Sequence, residues 1–191
     1  MSRWILGLGS LFLCFLGGAP LSAASFSLTP EQVKEAIRVG QRSIVSEEFG
    51  AEWTVVNAND EWLMVMTPFH RLALAARKAA FKDEPLGERD VEEVLDAQKG
   101  RLALWANLHG GRADFARWYQ PVLLSGGQEI KPSFVQNERT ALRLGGGSYL
   151  ARCLYSFPND GLRPRGRMTL LVRGPDGEAV ARFTVDLSTM R

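Results

Sequence analysis

The chain reads as an α+β protein, with N-terminal helices and a short hairpin followed by an antiparallel, β-sandwich-like region. Three observations predict this. Two proline-led helix starts, Thr29-Pro30 and Thr67-Pro68, fall in the first half. Short apolar runs punctuated by Gly and Pro fill the second half. Only one cysteine, Cys153, lies beyond the leader, so stability has to come from a packed core rather than a disulfide. The expected division is a leader over 1–24, a helix-rich part over 25–99 and a β-rich part over 100–191, the last two packing as one unit.

The leader begins with Arg3 beside the amino terminus, continues as an apolar run from Ile5 to Leu16, and breaks at Gly17-Gly18-Ala19-Pro20. Ser22, Ala23 and Ala24 are the small residues of a signal-peptidase site, which predicts cleavage after Ala24. The run is well short of the ~20 residues that span a bilayer, so no permanent membrane span is expected after cleavage. A periplasmic or secreted location follows.

The elements then come in order. Thr29 caps a helix with Pro30 at its first position and Gln32 reaching back, and Val33, Ile37, Gly40 and Ile44 carry the helical period from Pro30 to Val45. Trp53 to Val56 and Glu61 to Met66 form a hairpin across Asn57-Ala58-Asn59-Asp60. Thr67-Pro68 opens a helix to Lys82, whose Leu72, Ala75, Ala76 and Ala79 make a small-residue face suited to a sheet. Asp90 to Lys99 reads as a third helix with Val91, Val94 and Leu95 inward.

Strands are predicted at Leu102 to Leu108, Val122 to Leu124, Ser133 to Gln136, Ala141 to Leu144, Ser148 to Phe157, Arg167 to Arg173 and Glu178 to Leu187. Gly174-Pro175-Asp176-Gly177 marks a hairpin between the last two. A short helix is expected at Ala113 to Trp118.

Charge is nearly balanced at +2 over 191 residues, which argues against nucleic acid or an anionic membrane as a partner. The balance is uneven along the chain, with a net of −4 from Ser25 to Ile130 and +5 from Lys131 to Arg191. Arginine supplies nine of the ten cations in the second segment, and its planar fork matches carboxylates and phosphates. The densest group is the predicted loop Asn159 to Arg167, where Arg163, Arg165 and Arg167 offer a binding surface for an envelope protein or an acidic glycan or lipid. His70 and Arg71, one turn into the second helix, form a second candidate anion site with the free amides there. Trp105, Trp118 and Tyr119 suit either a sugar platform or core packing.

Neither histidine lies in a metal-binding or nucleophile motif, and no cofactor, metal or catalytic residue is predicted. Gly145-Gly146-Gly147 lacks the Lys-Ser/Thr of a phosphate loop and reads as a turn between strands. The leading expectation is an exported, non-enzymatic accessory or binding protein of the bacterial cell envelope that contacts an acidic partner or ligand through the Arg-rich loop. The alternative is a small secreted hydrolase or transferase with His70 or His109 as general base.

Overall fold

A computed structural model describes residues 26–191, so the predicted leader lies outside the described residues. The described chain is α+β, with three helices and two open antiparallel sheets of six and four strands. Among the described residues no helix is long and apolar enough to cross a membrane.

Helix α1 (Pro30–Arg42) starts with the predicted capping box, Gln32 N–H donating to Thr29 Oγ1 and Thr29 N–H to Gln32 Oε1. It ends earlier than the sequence period implies, at Ser43, whose hydroxyl donates to the Gly40 carbonyl. A 3₁₀ turn, Ala51–Trp53, leads into β1 (Thr54–Val56), which pairs with β2 (Trp62–Met66) as the expected hairpin. Asn57 shapes the turn by accepting from the Asn59 and Glu61 amides. Helix α2 (Pro68–Phe81) is capped by Thr67, and α3 (Glu88–Asp96) begins at Gly87.

The small-residue face of α2 meets a helix, not a sheet as the sequence suggests. Its main neighbour is α1, where a Cβ at Gly40 would collide with the Ala73 carbonyl and lie 2.8 Å from Ala76 Cβ. Glycine there lets the two backbones approach, which offsets its low helix propensity.

The larger sheet runs β1-β2-β3-β8-β6, built around the ten-residue pair β3 (Arg101–Gly110) and β8 (Tyr149–Pro158). The short strands β6 (Phe134–Gln136) and β7 (Leu142–Arg143) pair with opposite ends of β8. The smaller sheet runs β10-β9-β4-β5, from β10 (Ala179–Asp186), β9 (Arg167–Arg173), β4 (Gln120–Ser125) and β5 (Gln128–Ile130). Strand β5 is absent from the sequence reading because it is polar. Gly126 (φ 57°) and Gly127 (φ 81°) close its two-residue turn with β4.

Alternation decides which side is core. Leu102, Leu104, Ala106 and Leu108 of β3 are buried while Arg101, Trp105 and His109 between them are exposed. Tyr155 and Phe157 of β8 join them, as do Leu170, Val172, Phe183 and Val185 of the smaller sheet. One buried cluster thus draws on both sheets and on Ala36 and Leu72 of the helices. The expected helix at Ala113 to Trp118 is instead a run of turns over 111–118. Phe115 folds back so closely on Gly110 that a Cβ there would overlap its ring, and this contact replaces helical continuation.

Candidate functional site

The Arg-rich loop is held at both ends. Asn159 N–H donates to the Gly100 carbonyl at 3.2 Å, Leu187 N–H donates to the Gly166 carbonyl at 3.1 Å, and Leu162 between them is buried. Arg163 and Arg165 are exposed and, among the described residues, have no carboxylate within ion-pair distance. Arg167 differs, since its Nε donates to Asp186 Oδ2 at 3.1 Å. Ser188 N–H and Oγ–H also donate to Asp186, and with Arg167 they hold its carboxyl below the ordinary aspartate range. The loop therefore presents two open guanidiniums and one engaged one.

His70 lies in the interior at 1% exposure, its ring stacked on Trp53 with centroids 4.2 Å apart and planes 2° from parallel. Its Nδ1 lies 3.1 Å from the Val65 carbonyl, which requires that nitrogen to carry the proton and donate. Desolvation dominates its titration and pulls the pKa from 6.5 down to about 4, with the Val65 bond and Glu52 opposing. The first-turn amides are also occupied, His70 N–H by Thr67 Oγ1 and Arg71 N–H by the Thr67 carbonyl. His70 and its neighbouring amides therefore face inward partners, and only Arg71 of the expected anion site reaches the surface.

His109 sits near the end of β3 with its side chain exposed. Its backbone N–H donates to Glu61 Oε1 at 3.0 Å, and Glu61 in turn accepts from Asn57 Nδ2 at 2.7 Å. Glu61, 4% exposed, is thus a buried clamp between the β1–β2 turn and β3 rather than a proton acceptor for the imidazole. Cys153 is also buried, which pushes its thiol up and leaves it protonated at neutral pH. Among the described residues no group of His, Cys, Asp and Glu is placed to hold a metal ion.

A groove of about 530 Å³ lies on the outer side of the larger sheet. Strand register explains its floor, because directly opposed residues of an antiparallel ladder share a face. Ala103 of β3 opposes Ser156 of β8, which opposes Phe134 of β6, and in the next row Trp105 opposes Leu154. Arg71 from α2, Arg101 from β3 and Gln98 from the turn after α3 close the sides. Trp105 is 45% and Phe134 49% exposed, so the aromatic rings are open to solvent.

Two buried polar atoms of residues that line this groove lack partners among the described residues. Gln98 Oε1 and Ser156 Oγ are the buried side-chain atoms, among the described residues, that make no hydrogen bond. Gln98 is 5% and Ser156 6% exposed, a setting in which an unmade hydrogen bond costs about 1–3 kcal/mol. Among the described residues Arg71 and Arg101 have no carboxylate within ion-pair distance, and Arg101 Nε donates to the Ala97 carbonyl at 2.6 Å.

Sequence reading finds Arg71 and Trp105 but does not join them, because Arg71 is assigned to a helix-start site. Gln98, Arg101 and Ser156 carry no motif, and they meet only because β3 pairs with β8 and the turn after α3 leads into β3. Comparison with protein-family models finds no match, and comparison with curated proteins finds none either.

Proposed function

We propose that the chain is an exported, non-enzymatic binding protein of the bacterial cell envelope that recognises an acidic partner through the Arg163–Arg165 loop. The observation that carries this reading is the pair of exposed, unneutralised guanidiniums on a loop anchored by Leu162 and by backbone bonds at each end. Preorganised cations of this kind lose little freedom when they engage a carboxylate or phosphate. The apolar run from Ile5 to Leu16 and the small residues before Ser25 support export. The hydrolase or transferase alternative finds no support in the geometry, since His70 is enclosed against Trp53 and the carboxylate nearest the His109 backbone is engaged elsewhere.

In-cell cross-linking of the tagged protein tests the reading, comparing the wild type with a variant carrying Arg163→Ser, Arg165→Ser and Arg167→Ser. The expected result is one dominant acidic partner, lost in the variant and weakened in the wild type by added salt. Only Arg167 of the three is paired, and an exposed pair contributes about 0–1 kcal/mol, so the melting temperature should fall by no more than about 4 °C. Equal capture by both proteins would rule the loop out as the contact surface.

A further inference from the structure

We propose that the groove beneath the end of α3 is a binding site for an acidic sugar, a saccharide carrying a carboxylate or a phosphate. The proposal is independent of the Arg163–Arg165 loop and rests on what the groove leaves unfilled. Its volume of about 530 Å³ lies within the range of small-ligand sites, roughly 300–1,000 Å³. Trp105 and Phe134 supply flat, solvent-open rings whose negative faces suit the weakly positive C–H face of a sugar ring. Arg71 and Arg101 supply cations that no carboxylate among the described residues neutralises.

The unpartnered atoms narrow the class. Gln98 Oε1 is an acceptor that needs a donor, and Ser156 Oγ can donate or accept. An ionised fatty acid offers no donor and would leave the Gln98 carbonyl unsatisfied. A neutral sugar would satisfy both atoms and leave the two guanidiniums unused. An acidic sugar meets all four demands, with hydroxyls for Gln98 and Ser156 once those two side chains rotate toward the groove they line, an anion for Arg71 and Arg101, and a C–H face for Trp105. The carboxylate and phosphate versions share this chemistry.

The test uses ¹H–¹⁵N NMR of the protein lacking residues 1–24, read at the tryptophan indole N–H groups. Trp105 is the reporter, assigned by its loss in Trp105→Phe. Trp53 is the internal control, because its indole is sealed in a hydrogen bond to the Arg191 carbonyl. Glucuronate, glucose 6-phosphate, glucose and decanoate are titrated separately. At least one of the two acidic sugars should shift the Trp105 signal and leave Trp53 in place, with glucose binding at least tenfold more weakly. The acid that works identifies the anion. Joint Arg71→Ser and Arg101→Ser substitution should reduce the response at least tenfold, and so should Gln98→Leu, with Trp53 at its native position in both. Should the double variant fail to fold, Arg101→Ser alone, at an exposed position, carries the same expectation. No response to either acidic sugar would overturn the proposal. Equal responses to glucose or decanoate, or responses that survive the arginine and Gln98 substitutions, would overturn it too.

Discussion

Two regions of this molecule are assembled from the same kinds of side chain and end in opposite states. At the junction of the β1–β2 hairpin with α2, an indole, an arginine and buried polar groups close on one another. Trp53 Nε1–H and Thr67 Oγ1–H both donate to the Arg191 carbonyl, at 2.7 and 2.6 Å. The Arg191 guanidinium forks onto Glu52 and lies over the Phe69 ring, while His70 is stacked on Trp53 and bonded to Val65. In the groove on the outer side of the larger sheet, Trp105, two arginines, Gln98 and Ser156 meet without closing. The contrast separates the arginines and aromatics that build the scaffold from those that do not. Residues with partners among the described residues hold the fold, whereas the residues of the groove leave groups open for the proposed ligand.

The largest expected effect breaks the closed region. Trp53→Ala removes a 2%-exposed indole and a hydrogen bond, and should cost about 3–5 kcal/mol in urea denaturation. The matching change in the open region, Trp105→Ala, should cost less, about 1–2 kcal/mol, since nearly half of that residue is already in water. Comparable losses at the two tryptophans would erase the contrast.

A pH series sharpens the same comparison. His70 is held neutral in the fold, with its pKa lowered from 6.5 to about 4, so between those values the unfolded chain binds the extra proton. Stability from this group is complete above about pH 6.5 and falls as the solution is acidified toward pH 4, by a total on the order of 3 kcal/mol. His70→Phe should flatten that slope, read as the difference between unfolding free energies at pH 7.5 and 4.5. A slope unchanged in the variant would assign the acid sensitivity to other groups.

A smaller effect belongs to the helix pair that supports the junction. Gly40→Ala forces a methyl against the Ala73 carbonyl, and about 1–3 kcal/mol should be lost despite the better helix propensity of alanine. A gain in thermal stability would mean that α1 and α2 are free to separate.

Much of the scaffold was legible from local chemistry. The Thr29 capping box, the Thr67-Pro68 start, the Asn57 turn and the Gly174 to Gly177 hairpin are written in adjacent residues, and the structure contains each of them. The strand Arg167 to Arg173 has the bounds its alternation suggests. What local pattern missed depends on distant partners. Strand β5 is polar and exists because two glycines fold it back on β4. The face of α2 met a helix because Gly40 lies opposite it, and the run 111–118 stayed in turns because Phe115 reaches Gly110.

The site follows the same division. Arg163 and Arg165 were legible because three arginines crowd one loop, and the structure leaves those two exposed. The groove was not legible, because its residues come from α2, the turn after α3, and strands β3, β6 and β8. A lone glutamine and a lone serine signal nothing until the turn after α3 and the register of β8 leave each with a buried, unpartnered oxygen.

The most direct measurement is the unfolding free energy of a double variant, Gln98→Leu with Ser156→Ala. Replacing unpartnered buried polar atoms with apolar groups of similar size is neutral or stabilising, whereas replacing engaged ones is costly. The account predicts stability equal to or above that of the wild type. A loss of more than about 1 kcal/mol would show that at least one of the two side chains has a partner inside the fold, which would contradict the account of an open region.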